Sequence, residues 1–438
     1  MTRPDGKNVD PAYEPTTGRL ATITTSEGVY TYGYYQATPQ PDDPDGQLQS
    51  LAAPGGEALS YTWDGTLPLS TTWSGAVSGS VSRSFDNDLR IATESVNGTH
   101  TMTWGYDADS LITQITPDAG PSLVLTRDPG LGFGAGLVTG TSQGVVTTSE
   151  IPSAFGELAT RTASANGTPV YQLDVSDRDA LGRIETRVET ILGTTTTSVY
   201  GYDAVGRLDT VTRSGSLVLD YSYDQSGNRL AEGVAGISAS YDAQDRLLSY
   251  GMASYSYSAG GDLESRTDAS GTTSYEYDAL GNLREVTFPD GKRVEYVIDG
   301  ESRRVGKKVC PAPCTGGATA QPVQGMLYAG NLRVVAELDG ANQVVSRFVY
   351  GTRVNVPEFM VKGANTYRLI TDPVGSVRLV VDTATGAIAQ RIDYDEWGNV
   401  TQDTNPGFQP FGFAGGLQDP DTGLLRFGAR DYDPEAFS

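Results

Sequence analysis

Residues able to do chemistry are unevenly supplied in this sequence. Asp and Glu together number 54 and Lys and Arg 31, against one histidine, His100, and two cysteines, Cys310 and Cys314. The acids are therefore the first candidates. A carboxylate protease needs two of them held close enough to share a proton and split their pKa values. Most of the 54 stand in turn-forming strings, where solvation and backbone hydrogen bonding account for them. Gly140-Thr141-Ser142-Gln143-Gly144 has the letters of a nucleophile elbow, but that motif needs a strand-to-helix turn and a later histidine, and His100 comes earlier. His100 reads as a strand residue. Residues 300–308 resemble a phosphate-binding loop, yet five residues separate Gly300 from Gly306 and Lys308 stands where Ser or Thr is needed. That string reads as a basic hairpin. Cys310 and Cys314 could close a small disulfide in an oxidising compartment or stand as two thiols, with a redox or metal role as the remaining option. Neither a multi-histidine nor a four-cysteine metal site can be built, and no cofactor is implied. Asp42-Asp43-Pro44-Asp45-Gly46 lacks the spacing of a calcium loop and reads as solvated. Asn97-Gly98-Thr99 and Asn166-Gly167-Thr168 are formal glycosylation sequons, but Asn-Gly is also a preferred hairpin turn, and the turn reading is favoured.

The elements that must carry these residues follow from composition and period. The chain has 438 residues, enough for about three domains or one large repeat array. A net charge of -23 argues against a broad nucleic-acid or anionic-membrane face, because phosphate contacts need basic groups. No run of 18 apolar residues occurs, so no membrane-spanning helix is expected, and the opening Met1-Thr2-Arg3-Pro4-Asp5-Gly6-Lys7 does not read as a signal peptide. Apolar residues make up 38%, glycine is abundant (53), and 24 Tyr outnumber 11 Phe. This composition suits a sheet wetted on one or both faces, a wall one sheet thick.

One unit recurs: aromatic, Asp, two residues, Gly, Arg or Asn, aliphatic. It appears as Tyr202-Asp203-Ala204-Val205-Gly206-Arg207-Leu208, as Tyr277-Asp278-Ala279-Leu280-Gly281-Asn282-Leu283, and as Tyr394-Asp395-Glu396-Trp397-Gly398-Asn399-Val400. Tyr223-Asp224-Gln225-Ser226-Gly227-Asn228 is followed by an extra residue, and Tyr241-Asp242-Ala243-Gln244-Asp245-Arg246 has Asp in place of Gly. Weaker copies start at Phe85, Tyr106, Asp179 and Tyr13. In physical terms Tyr ends a strand, Asp bonds its downstream backbone to open a turn, and Gly supplies positive φ. The polar residue after it is expected to face solvent, and the aliphatic one starts the return strand. The intervening segments alternate at period 2, as in Leu217-Val218-Leu219-Asp220-Tyr221-Ser222-Tyr223. Each repeat is thus about one β-hairpin, and stacked hairpins can share one continuous sheet. Residues 36–56 and 310–324 are read as loops.

The Tyr-Asp-x-x-Gly-Arg/Asn array resembles the YD repeats of Rhs proteins, of the C subunits of insecticidal ABC toxin complexes, and of the teneurin YD shell. The stretch from Asp372-Pro373-Val374-Gly375-Ser376 through Pro410-Phe411-Gly412-Phe413 to Ala429-Arg430-Asp431-Tyr432-Asp433-Pro434 resembles the core segment that follows Rhs repeats. The resemblance implies an all-β fold of hairpins spiralling into a hollow shell, with residues 1–370 as YD-repeat wall and 371–438 as partial core. It implies a scaffold that sequesters a C-terminal toxic polypeptide, with that polypeptide and its delivery machinery as partners, in a secreted or cell-surface protein. Many such cores are aspartyl autoproteases, and Arg430 matches their associated arginine. Their two catalytic aspartates fall beyond Asp433-Pro434-Glu435-Ala436-Phe437-Ser438, so the expectation is a non-enzymatic fragment or degenerate copy of a longer protein. Asp372-Pro373-Val374-Gly375 has the letters of the protease motif but precedes Arg430 and matches an upstream segment. The alternative expectation is a cell-surface adhesin or carbohydrate-binding repeat protein.

Overall fold

The computed structural model describes residues 1–36, 46–128, 130 and 136–436; Asp42, Asp43 and Asp45 of the acidic run, and the final Phe437 and Ser438, lie outside them. The described residues form one antiparallel sheet of 36 strands, beside a small three-stranded sheet near the C-terminus. Each strand pairs with the next one in the sequence, from Val9–Tyr13 on Leu20–Thr25 to Ile388–Tyr394 on Val400–Asp403. The only helical element among the described residues is the single 3-10 turn Phe413–Gly415. The all-β expectation therefore holds.

The strands form where side chains alternate. In Thr168–Arg178, Tyr171, Leu173 and Val175 are buried while Gln172, Asp174 and Ser176 are exposed, the period-2 signature of a sheet with one wet face. Two unlike connections then alternate along the ribbon. One rim carries the Tyr-Asp turns. The other carries tight two-residue turns such as Asn166-Gly167 (φ 50° and 75°) and Asn97-Gly98 (φ 52° and 68°). Positive φ at both residues gives these hairpins the strand twist they need, and this accounts for the Asn-Gly strings.

Contacts between distant parts of the chain show how the ribbon coils. Lys7 Nζ donates to the Tyr277 carbonyl at 2.6 Å, and the Ala279 N–H donates to Glu27 at 3.2 Å. Ser78 N–H meets Asn342 at 3.1 Å, Arg347 meets Asp118 at 2.6 Å, and Arg161 meets the Thr371 carbonyl at 2.7 Å. Arg378 bonds Glu189 at 3.1 Å, and the Trp397 indole bonds the Tyr221 hydroxyl at 2.6 Å. Both partners advance along the chain together. A sheet folded back on itself would pair rising positions with falling ones, so the ribbon is a spiral whose second turn lies against its first. The sequence separation falls from 270 residues at Lys7 to 176 at Tyr221. In strands, one turn takes about 24 at its start and about 16 further on. With neighbouring strands roughly 4.8 Å apart, the girth falls from roughly 115 Å to roughly 75 Å. The first and last strands of the sheet do not pair, so the spiral is unclosed.

Two sequence expectations need correction. A one-sheet wall with both faces partly wet describes the first turn but not the second. Arg304–Cys310, Val344–Val349 and Val377–Asp382 are buried on both faces over most of their lengths. Val77 and Val81 of the first turn pack into the same cluster as Leu327 and Leu338, and Phe411 of the C-terminal segment joins it beside Phe348. Residues 36–56 are not wholly loop, because Leu48–Ala52 is a strand, and 310–324 likewise includes the start of Gln321–Ala329. The ladder runs unbroken from Asn365–Thr371 to Val377–Asp382. The chain leaves the sheet after Asp403.

Candidate functional site: the wall turn and the C-terminal insert

The repeated turn is a bonded device. Asp203 Oδ1 accepts the N–H groups of Val205 at 3.0 Å and Arg207 at 2.9 Å, while Oδ2 takes Arg207 Nε at 2.7 Å. Gly206, at φ 93°, closes the loop. Backbone bonds from Arg207, and then its guanidinium, hold the Asp203 carboxyl below its usual range. The same effect operates at Asp86 and Asp242. Arg207 also reaches forward. Its Nη1 donates to the Asp224 carbonyl of the next unit at 2.8 Å, and its guanidinium lies 4.5 Å from the centre of the Tyr223 ring. Tyr223 in turn donates its hydroxyl to the Leu208 carbonyl at 2.6 Å. Each unit thus clasps the next. The expectation that the polar residue simply faces solvent is corrected here, because a guanidinium sandwiched between a carboxylate and an aromatic face gains more than one left in water.

The clasp recurs. Arg183 lies 4.3 Å from the Tyr202 ring and Arg90 4.6 Å from that of Tyr106. Tyr202 and Tyr106 donate to the carbonyls of Ile184 and Ile91, each at 2.8 Å. Where Asn replaces Arg, the aspartate is still held: Asn228 on Asp224 at 2.9 Å, Asn282 on Asp278 at 3.1 Å, and Asn399 on Asp395 at 2.8 Å. Further copies escaped sequence reading. Asp299–Arg303 and Asp339–Gln343 make the same turn with Ser302 and Asn342 at positive φ in place of glycine. Asp372-Pro373-Val374-Gly375 is such a turn too, its Oδ1 accepting the N–H groups of Val374, Gly375 and Ser376.

Beyond Asp403 the chain folds into a small insert against the second turn. Phe411 meets Phe348 edge-on at 4.9 Å, and Phe408 meets Tyr367 at 5.1 Å. Three short strands, Leu417–Gln418, Leu425–Phe427 and Arg430–Tyr432, form its sheet. A buried charge network fastens it to the wall strands Arg293–Ile298 and Arg304–Cys310. Arg304 pairs with Asp431 at 2.8 Å, lying 3.5 Å over the Tyr296 ring, and Arg426 shares Asp431 at 2.8 Å. Lys307 bridges Asp419 at 2.9 Å and Asp421 at 2.7 Å, and Lys292 takes Asp421 at 2.7 Å. Tyr296 donates to Asp419 at 2.6 Å. Burial raises the Asp421 pKa, but the two ammonium groups outweigh it and hold the carboxyl low. Asp419 and Asp421 thus serve lysines rather than sharing a proton.

Arg430 is exposed at the start of its strand and has no ion pair among the described residues. Its neighbours Arg426 and Asp431 occupy the buried positions instead. Nothing in the sequence distinguishes the arginines of that string. Cys310 and Cys314 are joined by a disulfide, with Cα atoms 5.6 Å apart. Ser142 lies in the strand Val138–Gln143, with no helix following, and His100 lies in His100–Tyr106, 3.3 Å from Asp118. Residues 300–308 are a basic hairpin, but Arg304 and Lys307 are buried in the insert contact.

A spiral of hairpins joined by Tyr-Asp turns defines a YD-repeat shell wall. The family model described as Teneurin YD-shell matches residues 4–436, and the chain belongs to that family. It is 30% identical to Teneurin-1 of Gallus gallus over 242 residues, 53% of this chain and 8% of that protein. To Teneurin-3 of Danio rerio it is 29% identical over 269 residues, 59% of this chain and 10% of that protein. Among solved structures it is similar to TcdB2-TccC3 without its hypervariable C-terminal region, at TM-score 0.46 and 12% identity, covering 99% of this chain and 32% of that one. It thus spans about a tenth of the curated relatives and about a third of that structure. Among the described residues no helix is long and apolar enough to cross a membrane.

Proposed function

We propose that this chain is a stretch of encapsulating wall from a longer secreted or cell-surface protein, enclosing a polypeptide that follows it in the chain. The resemblance to Rhs proteins makes a toxic polypeptide the expected cargo, released to its delivery machinery. In this reading residues 371–438 act as the core segment and Arg430 is structural. The wall works without catalysis. The observation that carries the reading is the parallel advance of contacts between turns. First-turn hairpin tips at Glu27, Ser78, Asp118 and Asn166 are bonded to the second turn, which favours a wall whose turns adhere along the seam.

The test is a fusion carrying a protease-sensitive reporter after Ser438. The reporter should survive a protease dose that digests the free reporter, and digestion at the free rate would overturn the reading. An intact mass unchanged on storage, in the parent and in Arg430→Ala alike, is expected of a wall without autoprotease activity. A second reading, a cell-surface adhesin or carbohydrate-binding wall, is favoured by the teneurin family match. Saturable binding on a glycan array with no protection of the reporter would select it.

A further inference from the structure

A small cavity of about 80 Å³ lies between the two turns, bordered by Thr148, Glu150 and Arg161 of the first and by Arg353, Glu358 and Arg368 of the second. It is several times the roughly 10–15 Å³ that one water needs, yet well short of the roughly 300–1,000 Å³ of drug-sized sites. Only a ligand of a few atoms fits.

The lining holds three guanidinium groups and two carboxylates. Arg161 pairs with Glu150 at 2.8 Å and Arg368 with Glu358 at 2.6 Å. Arg353 is left without an ion pair among the described residues. Only its Nη1 is engaged, donating to Thr371 Oγ1 and to the Asp372 carbonyl, each at 3.1 Å. Its Nε and Nη2 have no acceptor and, not being buried, keep accessible surface. Glu150, Glu358 and Asp372 do act on this charge. Burial, and then the Arg161 guanidinium, outweigh them and hold Arg353 below the usual arginine range. The group at the cavity is thus an under-compensated cation with N–H donors to spare.

We infer that this cavity binds one small monovalent carboxylate, of the size of formate or acetate, on the free edge of Arg353. The planar guanidinium fork matches the two oxygens of a carboxylate with two parallel N–H donors. One negative charge balances three guanidinium groups against two carboxylates. Glu150 and Glu358 disfavour the second charge of a phosphate, and a spherical chloride gains nothing from the shape of the fork. The site is a property of the seam and does not depend on whether anything is enclosed.

The test is calorimetric titration of the full chain with formate in a chloride-free buffer of constant ionic strength, with chloride, inorganic phosphate and benzoate as separate arms. Formate should bind saturably at one site. The other three should be at least about tenfold weaker, benzoate because it exceeds the cavity. Arg353→Gln should weaken formate binding by about tenfold or more. Arg353→Lys keeps the charge but gives up the fork, so it should weaken formate by at least about threefold and leave chloride unchanged. It carries the test should Arg353→Gln not fold. Absence of saturable formate binding to the parent, tighter binding of chloride, phosphate or benzoate, or an unchanged formate affinity in either variant would overturn the proposal.

Discussion

In the wall turns at Asp86, Asp179, Asp203, Asp242 and Asp299 one aspartate both shapes the backbone and anchors the arginine that follows, so its charge matters as much as its geometry. How much depends on burial. Asp299 is buried, holds Arg303 at 2.7 Å and accepts the Trp73 indole N–H at 3.2 Å. Asp299→Ala leaves the buried Arg303 guanidinium with Glu301, at 2.8 Å, as its remaining ion pair and should cost about 3 kcal/mol in urea unfolding. Asp203→Ala, in an open turn, should move the midpoint far less. Acid should reveal the group collectively. Asp86, Asp203 and Asp242 are held below the ordinary 3.8. The unfolded chain therefore takes up protons first as pH falls, and stability from these turns is complete above about pH 4 and drains below it. Buried Glu358, which Arg368 and Thr352 hold down to about 2 against the effect of burial, should be the last to go. Thermal midpoints recorded from pH 6 to pH 2 should stay level and then fall below about pH 4, less steeply in Asp→Asn turn variants.

At the scale of the element, what makes a hairpin a wall unit is its clasp on the next. Tyr223→Phe keeps the ring under Arg207 but loses the bond to the Leu208 carbonyl, and should cost about 1 kcal/mol. Arg207→Lys keeps the charge yet gives up both the fork on Asp203 and the flat stack, so it should be no milder. Turn chemistry also leaves room for improvement. Leu89 sits at φ 62° with its side chain exposed, a conformation in which a Cβ is strained. Leu89→Gly should therefore raise stability by about 0.5–1 kcal/mol, read as a higher urea midpoint with unchanged slope.

For the whole molecule the decisive contacts lie between turns and between wall and insert. The second turn is covered on both faces, by first-turn hairpin tips and by residues 408–432, whereas the first turn keeps a wet face. Asp431 is the hinge of the insert contact because it neutralises Arg304 and Arg426 together. Asp431→Ala should loosen the insert without unfolding the early wall. Hydrogen exchange should speed up across residues 417–432 while the strands Thr168–Arg178 and Ile184–Ile191 exchange as in the parent. Equal acceleration in both regions would show that insert and wall unfold as one unit.

The local grammar was legible in the sequence because it depends on residues within a few positions of one another. Tyr at a strand end, Asp bonded to its own backbone, and Gly at positive φ are all set by neighbours, so hairpins such as that around Tyr202 to Leu208 could be read directly. Copies with Ser302 or Asn342 in place of glycine were hidden because several small or polar residues tolerate the same φ. The partners of Arg207, Arg304 and Lys307 were not legible at all. They depend on which hairpin stands next in the sheet and on where the insert docks, 127 residues along the chain from Arg304 and 112 from Lys307. Twist and curvature, accumulated strand by strand, decide that spacing. The sequence alone thus determined a ribbon of hairpins and the family it resembles. Only the tertiary structure decided that the ribbon tightens from about 24 strands per turn to about 16 and buries its later strands on both faces.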